Sequence, residues 1–222
     1  MNALPGAYVT WTESAEPLED FQRYILYRRE LGDADWVARA RITDRSITYF
    51  QDYRVGSGTT YEYAVTQVSD ASGEEVESDF PTAASTVVTI TSFFIHDDAA
   101  PENYVEVVAQ GQRVTRKPDA QYLQVWGRQQ PTAHVGQALS DGLQVSLRGV
   151  WNATADSVNR ATWDGVKALM ERQRLYGSVF MARQGRDVRA FCAIDSLDRT
   201  DEPMAFGLTV SLTETYLDEA SA

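Results

Sequence analysis

The chain has 222 residues, 43% hydrophobic and 23% charged, with 32 acidic against 20 basic side chains and a formal charge of -12. That length holds one large or two small cores, two being the working count, and the surplus of negative charge repels phosphate backbones and argues against nucleic acid as a partner. A single cysteine, Cys192, excludes an intramolecular disulfide and suits folding in a reducing cytoplasm.

No stretch of about 18 apolar residues is available to cross a bilayer. The opening Met-Asn-Ala-Leu-Pro-Gly lacks the basic and apolar regions of an export leader, so neither membrane insertion nor export is expected. Residues 1 to 90 hold 15 acids and 7 bases, which makes the N-terminal part the more solvated one. All but Lys117 and Lys167 of the basic residues are arginine, a bias read as compositional background.

From the N-terminus, β-rich runs recur at roughly the 8 to 12 residue spacing of a sandwich. They are Tyr8 to Thr12, Arg23 to Arg29, Trp36 to Ile42, Ile47 to Tyr53, Tyr61 to Ser69 and Ser85 to Thr91. Turn formers separate them: Gly32-Asp33, Gly56-Ser57-Gly58 and Ser72-Gly73. In the fifth run Tyr61, Tyr63, Val65 and Gln67 share one face, expected to point mostly inward, while Glu62, Ala64 and Thr66 share the other.

Trp11 in an early strand, the Tyr24 to Arg28 and Thr48 to Asp52 segments, and Gly58-Thr59-Thr60-Tyr61-Glu62-Tyr63-Ala64-Val65 together resemble a fibronectin type III domain over most of the first 90 residues. The resemblance implies a β-sandwich with a tyrosine corner, Val55 and Tyr61 standing at its hydrophobic and tyrosine positions. Such modules usually carry a strand before the tryptophan strand, and only Met1 to Gly6 precede Tyr8 here. That strand is either very short or an edge is left open, to be blunted by Pro5 and nearby acids or completed by a neighbouring chain.

Farther on, Leu143, Val145 and Leu147 alternate with Gln144, Ser146 and Arg148. Val188, Ala190, Cys192 and Ile194 form a second apolar face, and Phe206, Leu208, Val210 and Leu212 a third. Between them one helix is predicted over Thr162 to Arg174, with Val166, Leu169, Met170 and Gln173 at helical spacing, Trp163 and Leu175 seating it, and Gly177 as its stop. The Met and Leu stripe is read as packing.

The order Tyr122 to Trp126, Gly127-Arg128-x-x-Pro131, a polar strand, Trp163-x-x-Val166-x-x-Leu169-Met170, and Pro203 before a strand ending Leu212-Thr213-Glu214 resembles minor tail proteins of long-tailed (siphovirus-type) phages and prophages. It covers roughly residues 112 to 216. The resemblance implies a tail-tube or distal-tail-like β-sandwich or split barrel with one flanking helix, assembling into a ring about the tail axis. Two departures favour a tail-tip or minor component over a tube subunit: the long hairpin that inserts between tube subunits is not placed, and Asp97 to Arg116 fits no part of the pattern.

The fold class expected is therefore mainly β, with a fibronectin type III-like sandwich at 4–90, a linker or extended arm at 91–118, and a tail-like β-domain with one α-helix at 119–218. The implied partners are tail tube, tape measure, hub or fibre proteins and further copies of the chain, six favoured over three. The implied setting is the virion tail after synthesis in the host cytoplasm. The alternative is an adhesion module in which the first domain touches host-surface carbohydrate.

Candidate chemistry is sparse, and no catalytic, cofactor-binding or metal-ligating residue is assigned. His96 and His134 lie 38 residues apart without partners at ligand spacing. Asp195, Asp198, Asp201 and Glu202 crowd what reads as one loop, without the order of a calcium loop. Gly56-Ser57-Gly58 is a turn and no nucleophile elbow is present. Cys192 sits among apolar neighbours, Asp97-Asp98 and Glu102 read as polar linker, and the Asn152-Ala153-Thr154 sequon matters only in a secreted protein. Asp35-Trp36 and Tyr49-Phe50 offer rings that could stack on sugars. With no reactive cluster, the chain is not expected to be an enzyme.

Overall fold

A computed structural model describes residues 3–71, 73–107, 111–123, 132–150, 153–184, 188–202 and 205–214. The Gly127 to Pro131 turn, Ser72, Asn152 and Pro203 lie outside them. The described residues are mainly β with one helix among them, and the chain divides into two compact units, the first built on Ala3–Thr91 and the second on Ser92–Arg183 with Ala190–Leu217.

In the first unit, β1 (Ala7–Thr10) pairs with β4 (Tyr49–Asp52) in a two-stranded sheet. Facing it, β3 (Val37–Ile42), β2 (Phe21–Glu30), β5 (Thr60–Ser69) and β6 (Val76–Glu77) form a second sheet in that order, and β7 (Ala84–Val87) also pairs with β5. Alternation explains the interior: Tyr24, Leu26 and Arg28 of β2 and Tyr61 and Tyr63 of β5 are buried together. The Tyr61 hydroxyl accepts the Gly56 N–H at 2.9 Å, with Val55 buried beside it, so the tyrosine corner is in place. Gly58 turns the chain at φ +69°, a conformation that strains any residue with a Cβ.

The inward set expected on β5 holds for Tyr61 and Tyr63 but not beyond. Val65 and Gln67 are half-buried while Ala64, Thr66 and Val68 are buried on the opposite face. The cause is a cover on that second face. Tyr27 and Trp36 pack on Phe80, with ring centroids 4.9 and 5.5 Å away, and Glu77 accepts hydrogen bonds from Tyr27 and Thr66.

In the second unit, β10 (Gly111–Leu123), β11 (Thr132–Val150), β14 (Ala205–Glu214), β13 (Val188–Glu202), β12 (Phe180–Gln184), β8 (Phe93–Asp97) and β9 (Tyr104–Val107) form a seven-stranded sheet in that order. Residues 91–118, expected as a linker or arm, thus hold β8, β9 and the first part of β10. The run Phe93-Phe94-Ile95-His96-Asp97 is buried on both faces, so it carries no alternation to read. Leu143, Val145 and Leu147 stand opposite Leu212, Val210 and Leu208, and the last three are buried while Thr209, Ser211 and Thr213 are only half so.

The helix α1 spans Ala153–Tyr176, nine residues longer at its N-terminus than the sequence pattern indicates. Its first two turns, Ala-Thr-Ala-Asp-Ser-Val-Asn-Arg, lack an apolar stripe and mimic a loop. Gly177 ends it as expected, at φ +66° with its N–H on the Gln173 carbonyl at 2.9 Å. Val166 and Leu169 are buried under it, and Gly165 lets α1 approach β9, where a Cβ would lie 2.7 Å from Val105 Cγ2. The Gln173 carboxamide bridges to β13, accepting from Ile194 N–H at 2.8 Å and donating to its carbonyl at 3.2 Å. Leu175, expected to seat the helix, is 54% exposed because it falls on the opposite side.

Candidate functional site

Placed in the fold, the sequence candidates separate. His96 on β8 is fully buried, and burial together with the nearby Arg183 cation pushes its imidazole down to about 4, so it is neutral at ordinary pH. His134 lies on β11, far along the sheet order from β8. Asp97, expected in a polar linker, is a buried joint: its carboxylate accepts from Arg172 Nε at 2.8 Å and Ser178 Oγ at 3.0 Å, and from Ala99 N–H at 3.1 Å. It ties the last turns of α1 to β8 and the turn that follows.

Asp195, Asp198, Asp201 and Glu202 are on the strand β13, not in a loop. A strand advances about 3.3 Å per residue, so Asp195 and Asp198 are spread along it by roughly 10 Å. Asp195 occupies a bulge, the register passing from Ile194↔Leu212 to Ser196↔Ser211. Thr213 Oγ1 donates to it, and Ser196 Oγ donates to Asp198 at 3.0 Å. Among the described residues, no group of three or more His, Cys, Asp or Glu could hold a metal. Cys192 is buried, and burial pushes its thiol up to about 12, which removes the thiolate that nucleophilic or redox chemistry needs. Ser57 is buried too, its hydroxyl accepting from Ile90 N–H at 2.8 Å.

A polar cluster that sequence reading missed lies between the sheets of the first unit. Asp52 of β4 accepts from Arg28 Nη1 at 2.8 Å, from the Tyr63 hydroxyl at 3.0 Å and from Arg54 N–H at 2.9 Å. Arg39 reaches the same carboxylate at 3.8 Å. It can do so because β3 is bulged there: Leu26 faces Ala40 and Tyr27 faces Ala38, which leaves Arg39 as the extra residue whose side chain is re-aimed. Burial alone would raise the Asp52 carboxyl, but the two guanidiniums outweigh it and hold it below the usual range. Burial and the adjacent carboxylate raise the Tyr63 phenol. The cluster is closed to solvent and binds sheet to sheet.

Exposed rings are the remaining candidates. Trp36 is half-buried, with Arg29 4.4 Å over its ring and Phe80 against it, so its surfaces are already in use. Tyr49 and Phe50 do not form one surface, since adjacent strand residues point to opposite faces. Phe50 turns inward, and Tyr49 turns out to meet Tyr8, ring centroids 6.0 Å apart at an interplanar angle of 31°. In the second unit, Trp163, Lys167, Met170, Glu171 and Arg174 of α1 border a shallow groove with Leu197. Among the described residues, no helix is long and apolar enough to cross a membrane.

A scan against protein-family models and a search of curated proteins both find no match. Among solved structures, the chain matches one described as "Tail of empty GTA particle computed with helical refinement, C6 symmetry", with 14% identity and a TM-score of 0.30, over 57% of this chain and 92% of that one. At that TM-score the two chains share no demonstrated fold.

Proposed function

We propose that the chain is a non-enzymatic structural component of a phage-type tail, at the tip or distal end, assembling as a ring about the tail axis with a fibronectin type III-like unit facing outward. The sequence pattern quoted for residues 112 to 216 motivates the reading, and the long hairpin β10–β11, which the sequence does not place, carries it. With that hairpin present, one of the two grounds for preferring the tip is gone, and a tube position is the alternative. Its register runs from Gly111↔Ser146 to Leu123↔Thr132, whereas β14 pairs with β11 only over Gly142–Val150. From Arg116↔Asp141 outward the ribbon therefore has no third strand among the described residues. Two-stranded ribbons are at best marginally stable alone and leave both edges unpaired.

Such an arm is suited to docking on the next copy. Head-to-tail contacts of this kind close into a ring when the rotation divides a full turn. Six copies is the number the tail resemblance implies, with three second. Light scattering on the full chain is expected to give a closed oligomer. Replacing residues 119–138 by Asn-Gly joins Pro118 to Leu139 through a two-residue turn, and is expected to give a folded monomer. A full chain that stays monomeric and is absent from purified particles by mass spectrometry would overturn the proposal.

A further inference from the structure

The outer face of the large sheet in the first unit is dressed with ion pairs, Arg23 with Glu75 and Arg29 with Glu62. The outer face of the β1–β4 sheet is of another kind. Alternation sends Ala7 and Asp52 to the interior and leaves Tyr8, Thr10, Tyr49 and Gln51 outside. All four are exposed, Tyr8 by 63% and Tyr49 by 55%, and none is charged in a chain carrying 32 acids and 20 bases. The ladder continues past the strands through Trp11 N–H on the Thr48 carbonyl at 3.1 Å, which brings exposed Ile47 and Thr12 alongside.

What this face can hold follows from its size and charge. A stable protein interface takes about 20–30 residues a side, and these few side chains fall well short of it. None of these side chains offers a counter-charge to a charged ligand, and the nearby Arg45 and Glu13 are paired with each other. Two rings in contact, tilted by only 31°, each join an apolar face to a hydroxyl tip, and Thr10 and Gln51 add a hydroxyl and a carboxamide beside them. A pyranose ring has the matching make-up, with C–H groups on its faces and hydroxyls around its rim. We infer that the Tyr8–Tyr49 face is a binding site for a neutral oligosaccharide, the two rings forming its stacking platform. The inference is independent of the tail reading, because a monomer presents the same face.

The test is isothermal titration of the full chain with cellohexaose, maltohexaose and N-acetylchitohexaose, and with hexagalacturonate as the charged comparison. At least one neutral sugar binds, with Kd of about 0.1–1 mM as suits a shallow platform. Tyr8→Ala and Tyr49→Ala each weaken it by about tenfold or more, whereas Tyr8→Phe and Tyr49→Phe keep it within about threefold because the rings remain. Phe80→Ala, in the connection that covers the other sheet, leaves binding unchanged, and thermal melts confirm that each variant is folded. No binding to any of the three neutral sugars, binding to hexagalacturonate alone, or binding that survives both alanine variants overturns the inference.

Discussion

Removing the Asp52 carboxylate tests whether the buried cluster holds the first unit's two sheets together. In Asp52→Ala the Arg28 guanidinium keeps the Arg54 carbonyl at 2.6 Å and the Tyr61 ring at 4.9 Å but no carboxylate, and the Tyr63 hydroxyl and Arg54 N–H lose the acceptor they share. Arg28 and Arg39, both buried, lose the carboxylate they share, and breaking a buried pair from one side costs about 3–5 kcal/mol. For a unit of this size each kcal/mol lowers the melting temperature by about 4–8 °C, so a fall of roughly 15 °C or more is expected. Thermal and urea unfolding, followed by tryptophan fluorescence in a background where Trp126, Trp151 and Trp163 are replaced by Phe so that Trp11 and Trp36 report, reads it. Tyr63→Phe, which deletes a single hydroxyl bonded to the carboxylate, should cost less, about 1.5–3 kcal/mol. The pH dependence gives a second reading. Since Asp52 is held below its usual range in the folded state, its contribution is complete above the unfolded value of about 4 and is lost as pH falls through the lower folded value. An Asp52→Ala protein within about 1 kcal/mol of the parent, or one with an unaltered acid limb, would refute the reasoning.

His96 works in a different window. Its folded value of about 4 lies below the unfolded value near 6.5, so stability is full above 6.5 and declines by roughly 3 kcal/mol as pH falls toward 4. His96→Leu should flatten that slope in urea titrations across the same range. Tyr61→Phe removes the acceptor of the buried Gly56 N–H and should destabilise by about 1–3 kcal/mol in the same assay. Gly165→Ala, which in an open helix would stabilise by about 1 kcal/mol, should destabilise here because the new methyl meets Val105 Cγ2, and the double variant with Val105→Ala should recover part of the loss in a mutant cycle.

What was readable in the chain follows from where polarity repeats. Strands with one dry face, such as Phe206 to Leu212, show themselves by alternation, and Gly32, Gly58, Gly73 and Gly177 all take the left-handed backbone that their turn or cap readings require. The tyrosine corner was legible because its parts lie within seven residues, Val55 to Tyr61. The run Phe93 to Asp97 hid itself by being buried on both faces, and the opening turns of α1 by being polar. The hairpin was missed because its strands carry Pro118, which donates no N–H, at the point where the register shifts to Ala120↔Val135.

Functional surfaces were harder to read, for a related reason. Asp52, Arg28 and Arg39 come from three strands and meet only because a bulge turns one of them inward, and a bulge leaves no local mark on composition. Tyr8 and Tyr49 are separated by 41 residues and become neighbours through the β1–β4 register, which is set by the pairing of Ala7 with Asp52. The same buried carboxylate that binds the two sheets of the sandwich through Arg28 thus lies one residue pair away from Tyr8 and three from Tyr49 along the same ladder. A change at Asp52 that loosens β4 should therefore weaken any ligand held by Tyr8 and Tyr49, whereas changes at Tyr8 and Tyr49 should leave the cluster and its acid limb intact. That asymmetry separates a platform that depends on its scaffold from rings that are themselves part of the core.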